Sequence, residues 1–258
     1  RLWLTMDTSN AIVTYKQWLQ GNAKALKMEY STASLIELAY AAYRVNKGYV
    51  KQTRRYSEGQ PTTFANKELI AYSAQTLFDQ TVPFQPEDFV PLKVTQEDKD
   101  EVEAGAKFMR RYTMLAMGDL PDFENDLFAA YSSEKMPIGR VGLIAYLPAF
   151  VDREVKNKLY KQRLKTDFAD SKHLTGDRLE PTEVEILKVI TLNNDWFEPA
   201  YMHFGAIGND LVCFTKKEMY AVDNTYDIVA RIKGEDHERD TGLPMTRLNY
   251  VKLRKQEI

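Results

Sequence analysis

The last third of the chain is a run of short segments with β-strand character, separated by turns rich in Gly, Asn and Asp. Residues 179–192 alternate β-branched with charged side chains, as a strand with one buried face does. Gly208-Asn209 separates two apolar segments and is typical of a tight hairpin turn. Residues 226–233 and 245–253 alternate again. This pattern predicts a small five-stranded β-barrel of the oligonucleotide/oligosaccharide-binding (OB) type, whose exposed sheet face and loops bind single strands. A β-sandwich fragment, or an SH3-like barrel with no nucleic-acid role, is the alternative.

Helical periodicity replaces this pattern in the rest of the chain. Six segments space their apolar residues at helical intervals, namely residues 11–19, 31–50, 66–78, 95–117, 122–132 and 138–165. Thr95, with the acids Glu97 and Asp98 in the first turn after it, is the expected N-cap of its helix. Pro148 predicts a kink in the longest segment. We therefore expect an α+β protein with a mainly helical domain at residues 6–135, a basic connecting helix at 136–168 and an OB-like barrel at 169–258.

Composition limits the classes of function. The net charge of −2 argues against wholesale nonspecific affinity for nucleic acid. The single cysteine, Cys213, lies in an apolar segment and is expected to be a core residue, so the chain suits a reducing cytoplasm. No apolar run approaches the roughly 18 residues of a membrane helix. The sequence also has no Walker loop, dinucleotide-binding fingerprint, nucleophile elbow or zinc-ligand spacing. We expect no enzyme activity, no metal or other cofactor, and no membrane partner.

A basic, tyrosine-rich segment at residues 43–56 is the strongest local sign of function, because it contains no acid. Cations neutralise phosphates, and each aromatic face that stacks on an unpaired base contributes about 1–3 kcal/mol, so this mixture suits a single strand. The alternative is a solvated helix end whose cations complement the helix dipole. The DNA-binding candidates in this segment are Arg44, Lys47, Tyr49, Lys51, Arg54, Arg55 and Tyr56.

Two further groups of DNA-binding candidates lie downstream. A second basic run, on the predicted helix before the barrel, contributes Lys158, Lys161 and Arg163, with a solvated helical face as the alternative. In the barrel, aromatic residues are candidates for base stacking, although most are expected to be core, and cations that alternate along strands are candidates for the phosphate path. These barrel candidates are Trp196, Tyr201, Phe204, Tyr250, Arg231, Lys233, Arg247 and Lys252.

The barrel segment also resembles a known family. It is similar to an OB-like domain that recurs in phage-encoded DNA-replication proteins, and the matching positions are Gly176-Asp177-Arg178, Gly208-Asn209, Lys233, His237, Gly242, Thr246 and Leu248. The chain departs from that pattern by an extra residue after Lys233 and by Ala206-Ile207 where acidic residues are usual. The matching motifs mark turns and strands, so the resemblance implies a fold more than an activity.

These observations predict a single-stranded DNA-binding protein of phage replication or recombination. It would act in the host cell cytoplasm with little sequence preference, and its affinity would fall steeply with added salt. Replication or transcription proteins are further expected partners. One alternative is an adaptor that docks a polymerase, a helicase or a host transcription enzyme. A metal-dependent nuclease is the weaker alternative, because its candidate carboxylates have the pattern of solvated strand and loop residues; these are Glu183, Glu185, Asp236, Glu238 and Asp240.

Overall fold

A computed structural model describes residues 28–54, 62–78, 89–115, 120–192 and 200–254. Within these residues it has five α-helices and five strands that close a barrel. The predicted α+β class, a helical N-terminal region followed by an OB-like barrel, is therefore confirmed. The chain divides into two compact units, residues 1–153 and 154–258, called here the helical unit and the barrel unit. The predicted helix at residues 11–19 lies outside the described residues.

The described residues of the helical unit form four helices, the start of a fifth and a two-stranded ribbon. Its elements are β1 (Glu29–Ser31), α1 (Thr32–Val45), α2 (Asn66–Phe78), α3 (Gln96–Leu115), α4 (Asp122–Ser132), β2 (Lys135–Pro137), a 3₁₀ turn (Ile138–Arg140) and α5 (Val141–Asp167). The strands β1 and β2 pair antiparallel. Helix α5 contains Pro148 and continues into the barrel unit. The bounds of α2 and α4 are those that the sequence predicts.

Helical periodicity explains the core of this unit. On α1, Leu35, Ala39 and Ala42 recur at i, i+4 and i+7, and all three are buried. Gly105 allows α3 to approach α1 closely, because a Cβ at this position would overlap the hydroxyl of Tyr40. The absence of a side chain at Gly105 therefore sets how closely α3 packs on α1 at this point.

The start of α3 is capped as predicted. The backbone N–H of Asp98 donates to Oγ1 of Thr95 at 3.3 Å, and the backbone N–H of Thr95 donates to Oδ2 of Asp98 at 2.8 Å. This reciprocal pair satisfies two donors that a helix N-terminus otherwise leaves free. Thr95 is thus confirmed as the N-cap.

Helix α1 ends at Val45, before the predicted end near Gly48. The N–H of Gly48 donates to the carbonyl of Tyr43 at 2.8 Å, and the N–H of Lys47 donates to the carbonyl of Arg44 at 3.1 Å. These two bonds form a Schellman motif, which reverses the chain through one residue with left-handed backbone. Lys47 occupies that position, with φ of 53°, where glycine is usual. The helix pattern alone did not reveal this early stop.

The barrel unit contains a closed five-stranded barrel. Its strands are β3 (Arg178–Leu192), β4 (Ala200–Ile207), β5 (Asp210–Lys216), β6 (Thr225–His237) and β7 (Pro244–Leu253). Around the barrel they follow the order β3-β4-β5-β7-β6, with β6 pairing back to β3. All neighbours are antiparallel except β5 and β7, which are parallel. The predicted hairpin between β4 and β5 is present, with Gly208 at φ of 58° in its turn.

Alternate residues of the strands fill the barrel interior. Val184 of β3, Val212 of β5 and Ile228 of β6 are fully buried in one cluster. His203 of β4 is also fully buried, and its ring stacks on Phe214 at 4.9 Å between centroids. Nε2 of His203 accepts a hydrogen bond of 3.0 Å from the backbone N–H of Tyr220. The imidazole is therefore neutral there, and burial lowers its pKa.

The seam between the two parallel strands is short. Only Leu211–Cys213 of β5 pair with β7, opposite Met245–Arg247. Beyond the last pair, Nζ of Lys216 donates to the carbonyl oxygen of Val251 at 3.1 Å. A lysine side chain thus supplies the donor that a longer strand pairing would have given this carbonyl.

Strand β6 is longer than predicted. The sequence predicts a loop from Gly234 onward, but β6 continues to His237, and Glu235 pairs with Thr246 of β7. Lys233 is the extra residue of a bulge in this pairing, since Ile232 and Gly234 face consecutive residues of β7. The bulge is therefore adjacent to the extra residue, after Lys233, by which the chain departs from the resembling pattern.

The connection between β6 and β7 is fixed by a buried carboxylate. Glu238 is 5% exposed, and its Oε2 accepts hydrogen bonds of 2.8–2.9 Å from the backbone N–H groups of Asp240 and Thr241 and from Oγ1 of Thr241. The prediction that Glu238 is solvated is therefore wrong. A carboxylate that accepts three hydrogen bonds is a structural cap of a tight turn.

The second half of α5 packs on the outer face of β4 and β5. Tyr160, Leu164 and Phe168 are buried together with a second apolar cluster whose strand members include Leu211 and Cys213. These strand residues alternate with the ones that fill the barrel, so they point outward. In OB barrels this outer face is the usual ligand surface. Here a helix of the same unit covers it.

Candidate nucleic-acid interface

Strands β6 and β7 carry a row of outward cations. Ile228 and Ala230 of β6 are buried in the barrel, so Arg231 between Ala230 and Ile232 points outward and is exposed. Five of the predicted candidates lie on these two neighbouring strands, and this surface is called the β6–β7 face here: Arg231, Lys233, Arg247, Tyr250 and Lys252. The fold thus brings together residues that are up to 21 positions apart in sequence.

A second bulge on this face presents Tyr250 to solvent. Val229 and Arg231 of β6 pair with Lys252 and Asn249, so β7 has one residue more than β6 over this stretch. Tyr250 is 72% exposed and has left-handed backbone with φ of 51°. A non-glycine residue in this conformation costs of order 1–2 kcal/mol, and such strain is concentrated at functional sites. The guanidinium carbon of Arg231 lies 5.7 Å from the centre of the Tyr250 ring, within cation–π distance.

The fold adds one cation that the sequence did not single out. Arg178, at the start of β3, is paired directly with Arg231 and shares its outward side. Its sequence context marks it only as the end of the Gly176-Asp177-Arg178 turn, so strand pairing alone reveals its position.

Most cations of this face lack an acidic partner among the described residues; these are Arg178, Arg231, Lys233 and Lys252. Arg247 differs, because it forms an ion pair with Asp236, and this contact lowers the pKa of that carboxyl. Unpaired guanidinium and ammonium groups at a surface are available to anionic ligands. The β6–β7 face is therefore positively charged around an exposed aromatic ring.

Two of the three candidates on α5 are engaged by carboxylates of the barrel unit. Arg163 donates to both carboxylate oxygens of Glu185 at 2.8 Å, and this contact raises the pKa of the guanidinium. Nζ of Lys161 lies 3.1 Å from Oδ2 of Asp240. Lys158 is exposed. The solvated-face alternative thus fits only part of this run, because two of its three candidates hold the helix to the barrel.

The predicted stacking residues of β4 lie outside the β6–β7 face. Phe204 is half-buried and packs against the cluster beneath α5. Tyr201 is half-buried at the start of β4. Trp196 lies outside the described residues. Only Tyr250 among the described barrel candidates offers a largely free ring.

The basic segment of the helical unit is partly neutralised. Arg44 donates to both carboxylate oxygens of Asp98, at 2.8 and 2.9 Å, and to the carbonyl of Lys93 at 3.0 Å. The segment has no acid in sequence, but the fold supplies one from 54 residues away. Tyr49 is half-buried with its ring edge-on to Tyr146 at 5.1 Å, and burial raises its pKa.

The remaining described cations of this segment, Lys47, Lys51 and Arg54, are exposed. The backbone beneath them is fixed by Asn66, which is fully buried. Its Oδ1 accepts hydrogen bonds from Nδ2 of Asn46 at 2.8 Å and from the N–H of Val50 at 2.9 Å. Arg55 and Tyr56 lie outside the described residues.

Within the described part of the chain, no group of three or more His, Cys, Asp and Glu side chains is placed to hold a metal ion. No described helix is long and apolar enough to cross a membrane. Cys213 is fully buried beneath α5, and burial raises the pKa of its thiol.

Comparisons of the chain with models of known protein families, with curated proteins and with solved structures give no match. The fold defines the class of the molecule, an α+β protein with an OB-like barrel.

Proposed function

We propose that the protein binds single-stranded DNA with little sequence preference, through phosphate neutralisation and base stacking on the β6–β7 face. The observation that carries the proposal is Tyr250, a ring 72% exposed on strained backbone beside unpaired cations. An unpaired base can lie on such a ring, whereas a base within a duplex has its faces already stacked. The resemblance to phage replication proteins agrees with a role in phage replication or recombination in the host cytoplasm.

The binding mechanism follows from the charges. The four unpaired cations of the face release counterions when they neutralise phosphates, and each phosphate contact contributes about 0.7 to the slope of log K against log salt for a single strand. We therefore expect a slope of about −3 if all four engage. Lys47, Lys51 and Arg54 of the helical unit are exposed as well, and their participation would make the slope steeper.

The covered face of β4 and β5 explains why the proposal uses β6 and β7. A ligand on the usual OB face would have to displace Tyr160, Leu164 and Phe168, which are buried against the strands. Full burial of an apolar side chain contributes about 1.5–3 kcal/mol, so the helix competes well with a stacked base at about 1–3 kcal/mol. The open face of the barrel is the more accessible one.

Fluorescence anisotropy tests the proposal. A labelled oligo-dT is titrated with the protein at several salt concentrations, and an unlabelled duplex of equal length serves as competitor. The expected result is salt-sensitive binding that the duplex does not displace. Absence of binding at low salt would overturn the proposal. Equal displacement by the duplex would show that the protein attracts polyanions in general and does not select single strands.

An adaptor that docks a replication or transcription enzyme is the second candidate. The observation that favours it is that four predicted DNA-binding cations are neutralised by carboxylates of the protein itself; the pairs are Arg44–Asp98, Lys161–Asp240, Arg163–Glu185 and Arg247–Asp236. Such pairs reduce the charge that is available to a phosphate chain. The same titration separates the two candidates, since an adaptor gives no salt-dependent DNA binding.

A further inference from the structure

Two arginines stand directly opposite each other on the outside of the barrel. Arg178 of β3 and Arg231 of β6 are paired residues of antiparallel strands, so their side chains project from the same side. Both are exposed, and neither has an acidic partner among the described residues. Like charges directly opposite in a sheet destabilise it, so this pair is a cost to the unliganded fold.

Neighbouring acids do not relieve this repulsion. Asp236 is paired with Arg247, and Asp227 lies 3.7 Å from Arg254. Glu183, the acid opposite Asp227, lies further along the pairing of β3 with β6. Among the described residues no carboxylate forms an ion pair with Arg178 or Arg231, and this includes Asp177 and Glu180, the acids nearest to Arg178 in sequence. An anionic ligand is the group that would supply such a partner.

We propose that Arg178 and Arg231 form a phosphate-binding site, which seats one phosphate of a single strand while Tyr250 stacks the adjoining base. The inference rests on the proposed function and adds to it the position of one nucleotide, with its phosphate on the arginine pair and the adjoining base on Tyr250. Guanidinium groups match phosphate oxygens with paired hydrogen bonds. The guanidinium carbon of Arg231 lies over one face of the Tyr250 ring, 5.7 Å from its centre, so the base would stack on the other face of the ring beside a phosphate held by the arginines.

The site gives the bound strand a fixed position. Lys233 and Lys252 act as point charges that any nearby phosphate satisfies, whereas the arginine pair requires a phosphate at one place relative to the stacked base. Replacing either arginine by lysine keeps the charge but loses the two-pronged hydrogen bonding. Charge and geometry can therefore be separated by experiment.

The first experiment is a coupling measurement on a short oligo-dT. One phosphate at a time is replaced by a neutral methylphosphonate, and each oligonucleotide is titrated against the wild type and the R178K/R231K variant. We expect one position at which the replacement weakens wild-type binding about tenfold but weakens the variant's binding clearly less, because the two lysines attract the phosphate charge without the paired hydrogen bonds. Lys165→Ala, which removes an exposed cation of α5, is the control and should behave as the wild type. Equal effects at every position in both proteins would overturn the phosphate site while leaving single-strand binding intact.

The second experiment needs no DNA. Thermal unfolding is measured in inorganic phosphate and in chloride at equal ionic strength for the wild type and Arg178→Ala. We expect a higher midpoint for the variant in chloride, because the repulsion is removed, and a larger stabilisation by phosphate relative to chloride in the wild type than in the variant, because phosphate also stabilises folded proteins without a site. If the protein fails to bind oligo-dT yet shows this phosphate effect, the phosphate site stands and the single-strand proposal fails. A variant that is less stable in chloride and equally stabilised by phosphate would reject the site.

Discussion

Replacement of Tyr250 by Ala and by Gly separates two effects of this residue, the contribution of its ring to DNA binding and the strain of its left-handed backbone. Both changes remove the ring, so both are expected to weaken the free energy of oligo-dT binding by the contribution of one stacked base, about 1–3 kcal/mol. This loss corresponds to a roughly 5- to 150-fold higher Kd. Anisotropy titration at fixed salt measures it, with Phe123→Ala as the control, since Phe123 is an aromatic residue 46% exposed on the helical unit.

The same two variants differ in stability for a backbone reason. Tyr250→Ala loses the contact with Arg231, about 0.5–1 kcal/mol, and keeps the left-handed backbone at φ of 51°. Tyr250→Gly loses the same contact but also relieves the left-handed strain of about 1–2 kcal/mol, against a cost of about 0.5–1 kcal/mol for glycine in a strand. The glycine variant should therefore be about 0.5–1 kcal/mol more stable than the alanine variant.

Urea unfolding of the two variants, followed by circular dichroism, tests this order. A glycine variant that is less stable than the alanine variant would refute the strain argument. Unchanged DNA affinity in both variants would refute the role of the ring. Equal loss of affinity together with unequal stability is the result that the structure predicts, because only the second quantity depends on the backbone.

Three further predictions concern stability. Lys47→Gly should stabilise the protein by about 0.5–1 kcal/mol in urea unfolding, because Lys47 occupies the left-handed position of a Schellman motif, while Lys51→Gly in the extended segment should not. Burial lowers the folded-state pKa of His203, so the unfolded state takes up the proton first as the pH falls. The free energy of unfolding should therefore decrease as the pH drops through about 6.5, the ordinary pKa of histidine. Thermal unfolding of His203→Gln should lack that part of the pH dependence. Leu164→Ala should cost about 2–5 kcal/mol in urea unfolding and leave oligo-dT affinity unchanged; a loss of affinity would show that the covered face takes part in binding.

Secondary structure was readable from the sequence wherever local chemistry decides it. The bounds of α2 and α4, the cap at Thr95 and the hairpin at Gly208 follow from periodicity and turn residues. The end of α1 was not readable, because a lysine takes a position where glycine is the usual signal. The length of β6 was missed because a glycine and charged residues that resemble a loop continue the strand through a bulge.

The candidate interface was only partly predictable, because it depends on which residues the fold brings together. The neutralisation of Arg44 by Asp98 joins residues 54 positions apart, and no local pattern contains it. The covering of β4 and β5 did leave a signal, since Tyr160, Leu164 and Phe168 recur every four residues along the basic run and just past its end. That spacing indicates a buried helix face, although it does not say which sheet the face covers.

The short seam between β5 and β7 has a consequence for how the barrel avoids unwanted assembly. Beyond Cys213 and Arg247, the backbone groups of β5 and β7 are not paired with each other, and unpaired strand groups are where an extended segment of another molecule can add. Lys216 stands at that opening, and its ammonium group already occupies the carbonyl of Val251. An incoming chain would have to displace and bury a charged group to gain its first hydrogen bond. The lysine therefore acts as a gatekeeper against strand addition and fibre growth at the opening between β5 and β7.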